Sequence, residues 1–232
     1  MIETHPLIAM IHAVPAGARI AQSAFAEEFP EARVWNLLDD RLLEDARTVG
    51  GLDGALRRRM LRLIAHAADG GARGLLLTCS SYGEVVDTAR TLWGIPVLKS
   101  DEAMFRAALA GSYDRLAVVA STPPAVPAAV AQLESLAAEV RLDNPVQIKT
   151  ALSEEAAVAD SPEAAARHLA DALHAAGAAE AQAVLLAQYS LTPAGGALAD
   201  LLGVPVLDGA GAAARELRTM LLGDLAQTAA VS

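Results

Sequence analysis

Cys79 is the only cysteine in the chain, and it closes an apolar run, Gly74-Leu-Leu-Leu-Thr-Cys79-Ser-Ser. A thiol that ends a buried strand and precedes a helix sits at the positive end of the helix dipole, which lowers its pKa. Its thiolate can remove a proton, its thiol can return one, and the sulfur can also attack an electrophile. A lone cysteine elsewhere is commonly a small buried apolar residue. The Thr-Cys-Ser-Ser loop at a strand end favours chemistry over packing.

The chain repeats itself 109 residues on: Gly94-Ile-Pro-Val-Leu98 falls on Gly203-Val-Pro-Val-Leu207, Leu76-Leu77 on Leu185-Leu186, and Ser81 on Ser190. The same shift carries Leu7, Pro15 and Ala16 onto Leu116, Pro124 and Ala125. It pairs Cys79 with Gln188 and His12 with Ser121. Two similar halves are expected to face each other across a cleft, with a thiol on one wall and an amide on the other. Thr78, Ser80 and Ser81 in one half, and Ser121, Thr122, Tyr189 and Ser190 in the other, offer neutral hydrogen bonds. With backbone N–H groups at helix starts, such hydroxyls suit a small carboxylate. The serines also suit helix caps, and one residue can do both. His12 ends the first strand, where it can orient or deprotonate Cys79 or act as a second acid/base near neutral pH. His66, His168 and His174 lie in helical stretches without metal-ligand spacing. Glu102 and Asp208 read as caps, and Lys99 as a cation that could meet a substrate carboxylate.

These residues need elements to hold them. Short β-like apolar runs alternate with longer alanine- and leucine-rich segments, the pattern of βαβ units with parallel sheets. Strands are expected at Leu7–His12, Arg33–Asn36, Gly74–Cys79, Val97–Leu98, Leu116–Ala120, Val146–Lys149, Val184–Gln188 and Val206–Leu207. Helices are expected at Ala18–Phe29, Gly51–Asp69, Glu84–Leu92, Asp101–Ala110, Pro127–Ala138, Pro162–Ala176, Pro193–Leu202 and Ala210–Leu221. In Ser161-Pro162-Glu163, serine is the cap and proline the first helical residue. The fold class is α/β: two pseudo-symmetric Rossmann- or flavodoxin-like lobes, residues 1–98 plus 204–232 and residues 99–203. Parallel strands deliver their loops to one edge, so the site belongs at the strand C-termini, in the cleft between the lobes.

The formal net charge of −10 excludes the basic face that nucleic acid requires. The run Arg57-Arg58-Arg59 with Arg62 has helical spacing and reads as a solvated face. No apolar run approaches the ~20 residues of a membrane span, and the N-terminus lacks a signal-peptide pattern, so a cytoplasmic location is expected. One cysteine permits neither an internal disulfide nor a multi-cysteine metal site. There is no Gly-x-Ser-x-Gly elbow, P-loop or dinucleotide-binding turn, and no metal or organic cofactor is called for. The expected partner is a small carboxylic acid, and alanine-rich helices are compatible with a homodimer.

The duplicated halves, the Leu-Thr-Cys79-Ser-Ser loop, Ile95-Pro-Val-Leu-Lys-x-x-Glu-Ala103 and Val204-Pro-Val-Leu-Asp208 together resemble the aspartate/glutamate racemase superfamily. That group includes hydantoin racemase, maleate isomerase and arylmalonate decarboxylase. The resemblance covers nearly the whole chain. It implies two lobes with the active site between them and cofactor-independent proton transfer by cysteines next to a carboxylate. It places one family cysteine at Cys79 and the other at Gln188, where this chain departs from the pattern. A two-base racemase removes the proton with one thiolate and returns it from the opposite face with the other thiol. Glutamine cannot do this, although it can hydrogen-bond a carboxylate or enediolate oxygen. The resemblance therefore leaves three outcomes open: a racemase or isomerase with His12 or Tyr189 as second base, one-sided decarboxylation or lyase chemistry, or covalent chemistry at Cys79. A non-catalytic carboxylate-binding domain is the reading from another class.

Overall fold

A computed structural model describes residues 5–111, 113–140 and 146–223. The chain divides into two units, Met1–Ser100 with Ala213–Ser232, and Asp101–Ala212.

In the first unit, β1 (Leu7–His12), β2 (Arg33–Leu38), β3 (Gly74–Leu77) and β4 (Val97–Leu98) form one sheet in the order β2-β1-β3-β4, with every pairing parallel. Ile8, Met10 and Ile11 in β1 and Leu75, Leu76 and Leu77 in β3 are wholly buried. Such unbroken apolar runs belong to central parallel strands, because crossover helices cover both of their faces. Those helices are α1 (Pro15–Glu28), α2 (Leu42–Val49), α3 (Gly54–Asp69) and α4 (Gly83–Leu92). Helix α3 begins where Asp53 accepts the Leu56 N–H at 2.8 Å, and it buries Leu56, Met60, Ile64 and Ala67 along one stripe. Two arginines of this helix are tied down at the surface, Arg57 to Glu84 and Arg59 to Asp39 and Asp45. Helix α2 is absent from the sequence reading. It is eight residues long and buries only Leu42 and Ala46, too few positions to establish a helical period. Its stop is Gly50, at φ 76° in the left-handed region that glycine adopts without strain.

The second unit repeats the plan. Strands β5 (Arg115–Ala120), β6 (Gln147–Leu152), β7 (Ala183–Leu186) and β8 (Val206–Asp208) form a parallel sheet in the order β6-β5-β7-β8. Around them run α5 (Glu102–Ala110), α6 (Ala125–Val140), α7 (Pro162–Ala175) and α8 (Gly195–Leu202). Ser161 caps α7 by accepting the Ala164 N–H at 3.1 Å, with Pro162 at the helix start as its sequence implies. The α/β class and the two similar parallel-sheet lobes are as expected.

Two expectations need correction. Strand β8 pairs with β7, just as β4 pairs with β3, so the stretch from Val204 to Ala212 lies in the second unit and not with residues 1–98. Helix α9 (Gly209–Arg218) carries the chain from the second unit into the first, which it enters at Ala213. There Leu217 packs over Gly74, while Arg215 pairs with Glu28 and Arg218 with Glu31. The second correction concerns the repeat. The Thr78 N–H donates to the Ile11 carbonyl, and the Ala187 N–H donates to that of Val119. Residue 78 therefore matches 187, 109 on, whereas residue 11 matches 119, 108 on. Cys79 keeps Gln188 as its counterpart, but His12 matches Ala120 and not Ser121. A one-residue slip turns a strand side chain to the other face, so the difference is chemical and not cosmetic.

Candidate active site

In the first unit the C-terminal edge of the sheet carries the thiol. Cys79 follows β3 in extended conformation and accepts the Tyr82 N–H on its carbonyl at 3.1 Å. This closes a 3-10 turn, Ser80–Tyr82, that runs directly into α4. The Cys79 side chain is partly exposed. Ser80 and Ser81 are exposed on the turn, and neither is the residue that caps it or α4; Cys79 and Tyr82 occupy those positions. Both lie where the C-terminal end of β3 passes into α4.

Tyr82, at the end of the same turn, points inward. It is wholly buried in the core with Ile64, Leu77 and Val85, and its hydroxyl donates to the Leu42 carbonyl at 2.8 Å. Burial pushes its pKa up, and the neighbouring Cys79 sulfur adds to that, so the phenol stays protonated. Tyr82→Phe removes one buried hydrogen bond and is expected to cost about 1 kcal/mol of stability, read from the shift in urea midpoint.

His12 is wholly buried and has both ring nitrogens engaged: Nδ1 with the Thr78 hydroxyl at 2.8 Å, Nε2 with Asn36 Oδ1 at 2.9 Å. The Thr78 hydroxyl also lies 3.3 Å from the Ile11 carbonyl. Thr78 was expected to bind substrate, but its hydroxyl turns inward to the histidine. Burial lowers the His12 pKa, and the Asn36 hydrogen bond only partly offsets it. The sign for stability follows. The unfolded chain takes up a proton near pH 6.5 that the folded protein refuses, so stability falls as pH drops below about 6.5. Urea midpoints at pH 8 and pH 5.5 should therefore differ more for wild type than for His12→Asn.

In the second unit Gln188 follows β7, extended like Cys79, and a 3-10 turn, Tyr189–Ala194, leads into α8. Gln188 Oε1 lies 2.5 Å from the Ser121 backbone nitrogen and 3.0 Å from its hydroxyl. A backbone N–H can only donate, so the amide oxygen faces Ser121 and the side-chain NH₂ carries the remaining donors. Ser121 is itself buried by this contact, while Thr122 and Ser190 are exposed. Tyr189 is buried, and its pKa is pushed well above the ordinary value by burial, with the Asp101 and Asp208 carboxylates adding to the shift. It is a hydrogen-bond donor and not a base at neutral pH.

The remaining candidates have partners within the fold. Asp208 Oδ1 accepts from the Thr192 hydroxyl and from the N–H groups of Ala210 and Gly211, fastening the start of α9. Glu102 pairs with Arg106 one turn on, and Lys99 with Asp87 at 2.9 Å. Among the described residues no group of three His, Cys, Asp or Glu side chains could hold a metal ion. A cavity of about 460 Å³ in the second unit, lined by Asp171, His174, Val184 and Leu201, opens at the N-terminal end of β7, away from Gln188. No helix among the described residues is long and apolar enough to cross a membrane.

The sequence reading missed Asn36. Its amide meets His12 only because β2 lies beside β1 in a fixed register, which no local pattern reveals.

The model of the Asp/Glu/Hydantoin racemase family matches residues 16–217. No curated protein matches the chain. Among solved structures it is similar to allantoin racemase from Klebsiella pneumoniae (19% identity, 95% of this chain and 89% of that one, TM-score 0.67). It is also similar to glutamate racemase from Thermus thermophilus in complex with Beta-chloro-D-alanine (22%, 97% and 83%, 0.60). A third is arylmalonate decarboxylase (18%, 93% and 92%, 0.61). At these identities the structures show a shared fold. The family match over most of the chain shows more: the protein belongs to the Asp/Glu/hydantoin racemase family.

Proposed function

We propose that this protein is a cofactor-independent isomerase-type enzyme in which Cys79 transfers a proton at the carbon next to the carboxylate of a small acid. The observation that carries the reading is the setting of Cys79. It is a partly exposed thiol at the C-terminal end of a central parallel strand, followed at once by two exposed serines and a helix start, in a chain of this family. The Cys79 thiolate takes the α-proton and the electron pair of that C–H bond moves into the carboxylate, giving an enediolate. Hydroxyl and N–H donors of the Ser80–Ser81 turn stabilise the developing oxygen charge. The same thiol then returns the proton to carbon, and the configuration inverts where the planar enediolate has first turned its opposite face to Cys79.

A second reading, one-sided decarboxylation or a related lyase step, is favoured by the groups that could serve as a second base. The Gln188 amide neither gives up nor takes up a proton near neutral pH, Tyr189 holds its own, and His12 is sealed between Asn36 and Thr78. In that reaction the C–C bond to one carboxylate of a malonate breaks, carbon dioxide leaves, the electron pair forms the enediolate, and the Cys79 thiol protonates it from one face.

The test is incubation in D₂O with amino acids, hydantoins and 2-substituted malonates, following the α-position by NMR. Deuterium entry into an amino acid or hydantoin with both enantiomers formed supports the isomerase. Loss of carbon dioxide from a malonate with one product enantiomer supports the one-sided reading. No reaction across the panel, together with an ordinary slow thiol at Cys79, would sink both and leave a carboxylate-binding domain.

A further inference from the structure

We infer that Asn36, His12 and Thr78 form one positioning chain that fixes the strand end carrying Cys79; the inference rests on the reading of Cys79 as the proton-transfer group. The chain runs from an exposed residue on the edge strand β2, through a fully buried imidazole on β1, to the residue immediately before the thiol. Each link has a defined donor. With His12 neutral, Nε2–H donates to Asn36 Oδ1, and the one hydroxyl proton of Thr78 is shared between Nδ1 at 2.8 Å and the more distant Ile11 carbonyl at 3.3 Å. The backbone of Thr78 is held at the same place, its N–H donating to the Ile11 carbonyl at 3.1 Å. Side chain and main chain together leave the residue before Cys79 one orientation.

Two further observations argue that this is a built arrangement. In the first turn of α1, Gly17 lies against the chain: a Cβ there would stand 3.2 Å from Thr78 Oγ1 and 3.8 Å from His12 Nδ1. A side chain at this position would press on the Thr78 hydroxyl, which would have to shift by a few tenths of an ångström. The second unit then supplies an internal control. In the corrected register Ala120 takes the place of His12 and Ala187 that of Thr78, and the same sheet forms. The fold therefore does not require a buried imidazole at this point. The polar chain is present under the strand end that carries a thiol and absent under the one that carries Gln188. A buried histidine with no exposed surface does not reach a substrate, so His12 acts through Thr78 and is a positioning residue.

The test compares Thr78→Val, Thr78→Ser and Asn36→Leu with wild type by two readouts. The first is the rate of Cys79 alkylation by iodoacetamide from pH 6 to 9, which needs no substrate. The second is kcat and KM for whichever α-proton exchange or decarboxylation the wild type performs. Thr78→Val should lower kcat about tenfold or more with KM within about twofold, and displace the alkylation profile, because misplacement of a reacting group is felt in turnover and not in ground-state binding. Asn36→Leu, at an exposed edge position, should move the alkylation profile in the same direction with the fold intact. Thr78→Ser, which keeps the hydroxyl, should return both readouts to near wild type. The inference is overturned if Thr78→Val and Asn36→Leu match wild type in both readouts. A Thr78→Ser protein as impaired as Thr78→Val would overturn it as well, since the missing methyl and not the hydroxyl would then be at fault. If the wild type turns over nothing while alkylation still responds as described, the chain stands and the proton-transfer reading falls.

Discussion

Cys79→Ala is expected to reduce proton exchange or decarboxylation by about 10²–10⁴-fold, the range that a positioned acid/base contributes. The described groups at this strand end do not replace it. Tyr82 is turned into the core and held protonated, Thr78 is bonded to His12, and Ser80 and Ser81 are ordinary hydroxyls far too weakly acidic to form an anion at neutral pH. Cys79→Ser should be nearly as inactive for the same reason. The fold should survive both changes, because Cys79 is partly exposed and alanine suits the extended conformation at its position. The urea midpoint is expected to move by less than the equivalent of about 1 kcal/mol. A Cys79→Ala protein that retained more than about a tenth of the wild-type rate would remove the thiol from the mechanism, because a group worth only tenfold or less is below the acid/base range.

Leu77→Ala, two residues upstream, should show the reverse pattern. Leu77 is wholly buried and packs in one cluster with Ile11, Met60, Ile64, Tyr82, Val85 and Val86. Truncating it deletes three carbons of a close-packed side chain and leaves a cavity, at an expected cost of about 2–5 kcal/mol. That is a large share of the roughly 5–15 kcal/mol that holds a protein folded. Urea unfolding reads the loss directly, with Leu38→Ala as a comparison: Leu38 sits on the edge strand β2, 47% exposed, and should cost a small fraction of that. A Leu77→Ala protein within 1 kcal/mol of wild type, on the order of a surface substitution, would mean that the core around β3 closes over the gap. The comparison matters for function because the same strand carries Cys79. Activity lost in Leu77→Ala should return where the protein is kept folded, whereas activity lost in Cys79→Ala should not.

Much of this was legible in the order of residues. Apolar runs as continuous as Ile8–Ile11 and Leu75–Leu77 occur where helices cover both faces of a parallel sheet, so both central strands and the α/β class could be read directly. Ser161-Pro162 announced the start of α7 through backbone chemistry alone. The pairing of Cys79 with Gln188 was equally plain, because β3-β4 and β7-β8 keep one spacing. Elements with little burial were harder. The single turn pair of α2 buries two residues, and β2 and β6 extend past their expected ends at edges where exposed positions blur the pattern.

The residue types at the two strand ends, a thiol in one half and an amide in the other, were determined by the sequence alone, because strand order and chain direction force both loops to sheet edges. Which way each side chain turns was decided only by the tertiary structure. A shift of one residue between β1 and β5 separates His12 from Ser121 as counterparts, and an ungapped comparison cannot see it. Tyr82 goes to the core because the Leu42 carbonyl is there to accept its hydroxyl. Gln188 points its oxygen inward because the Ser121 N–H offers only a donor. Thr78 faces His12, and His12 faces Asn36, because three parallel strands place them side by side. Hydrogen-bond partners far apart in sequence are set by register, and register is a property of the folded sheet.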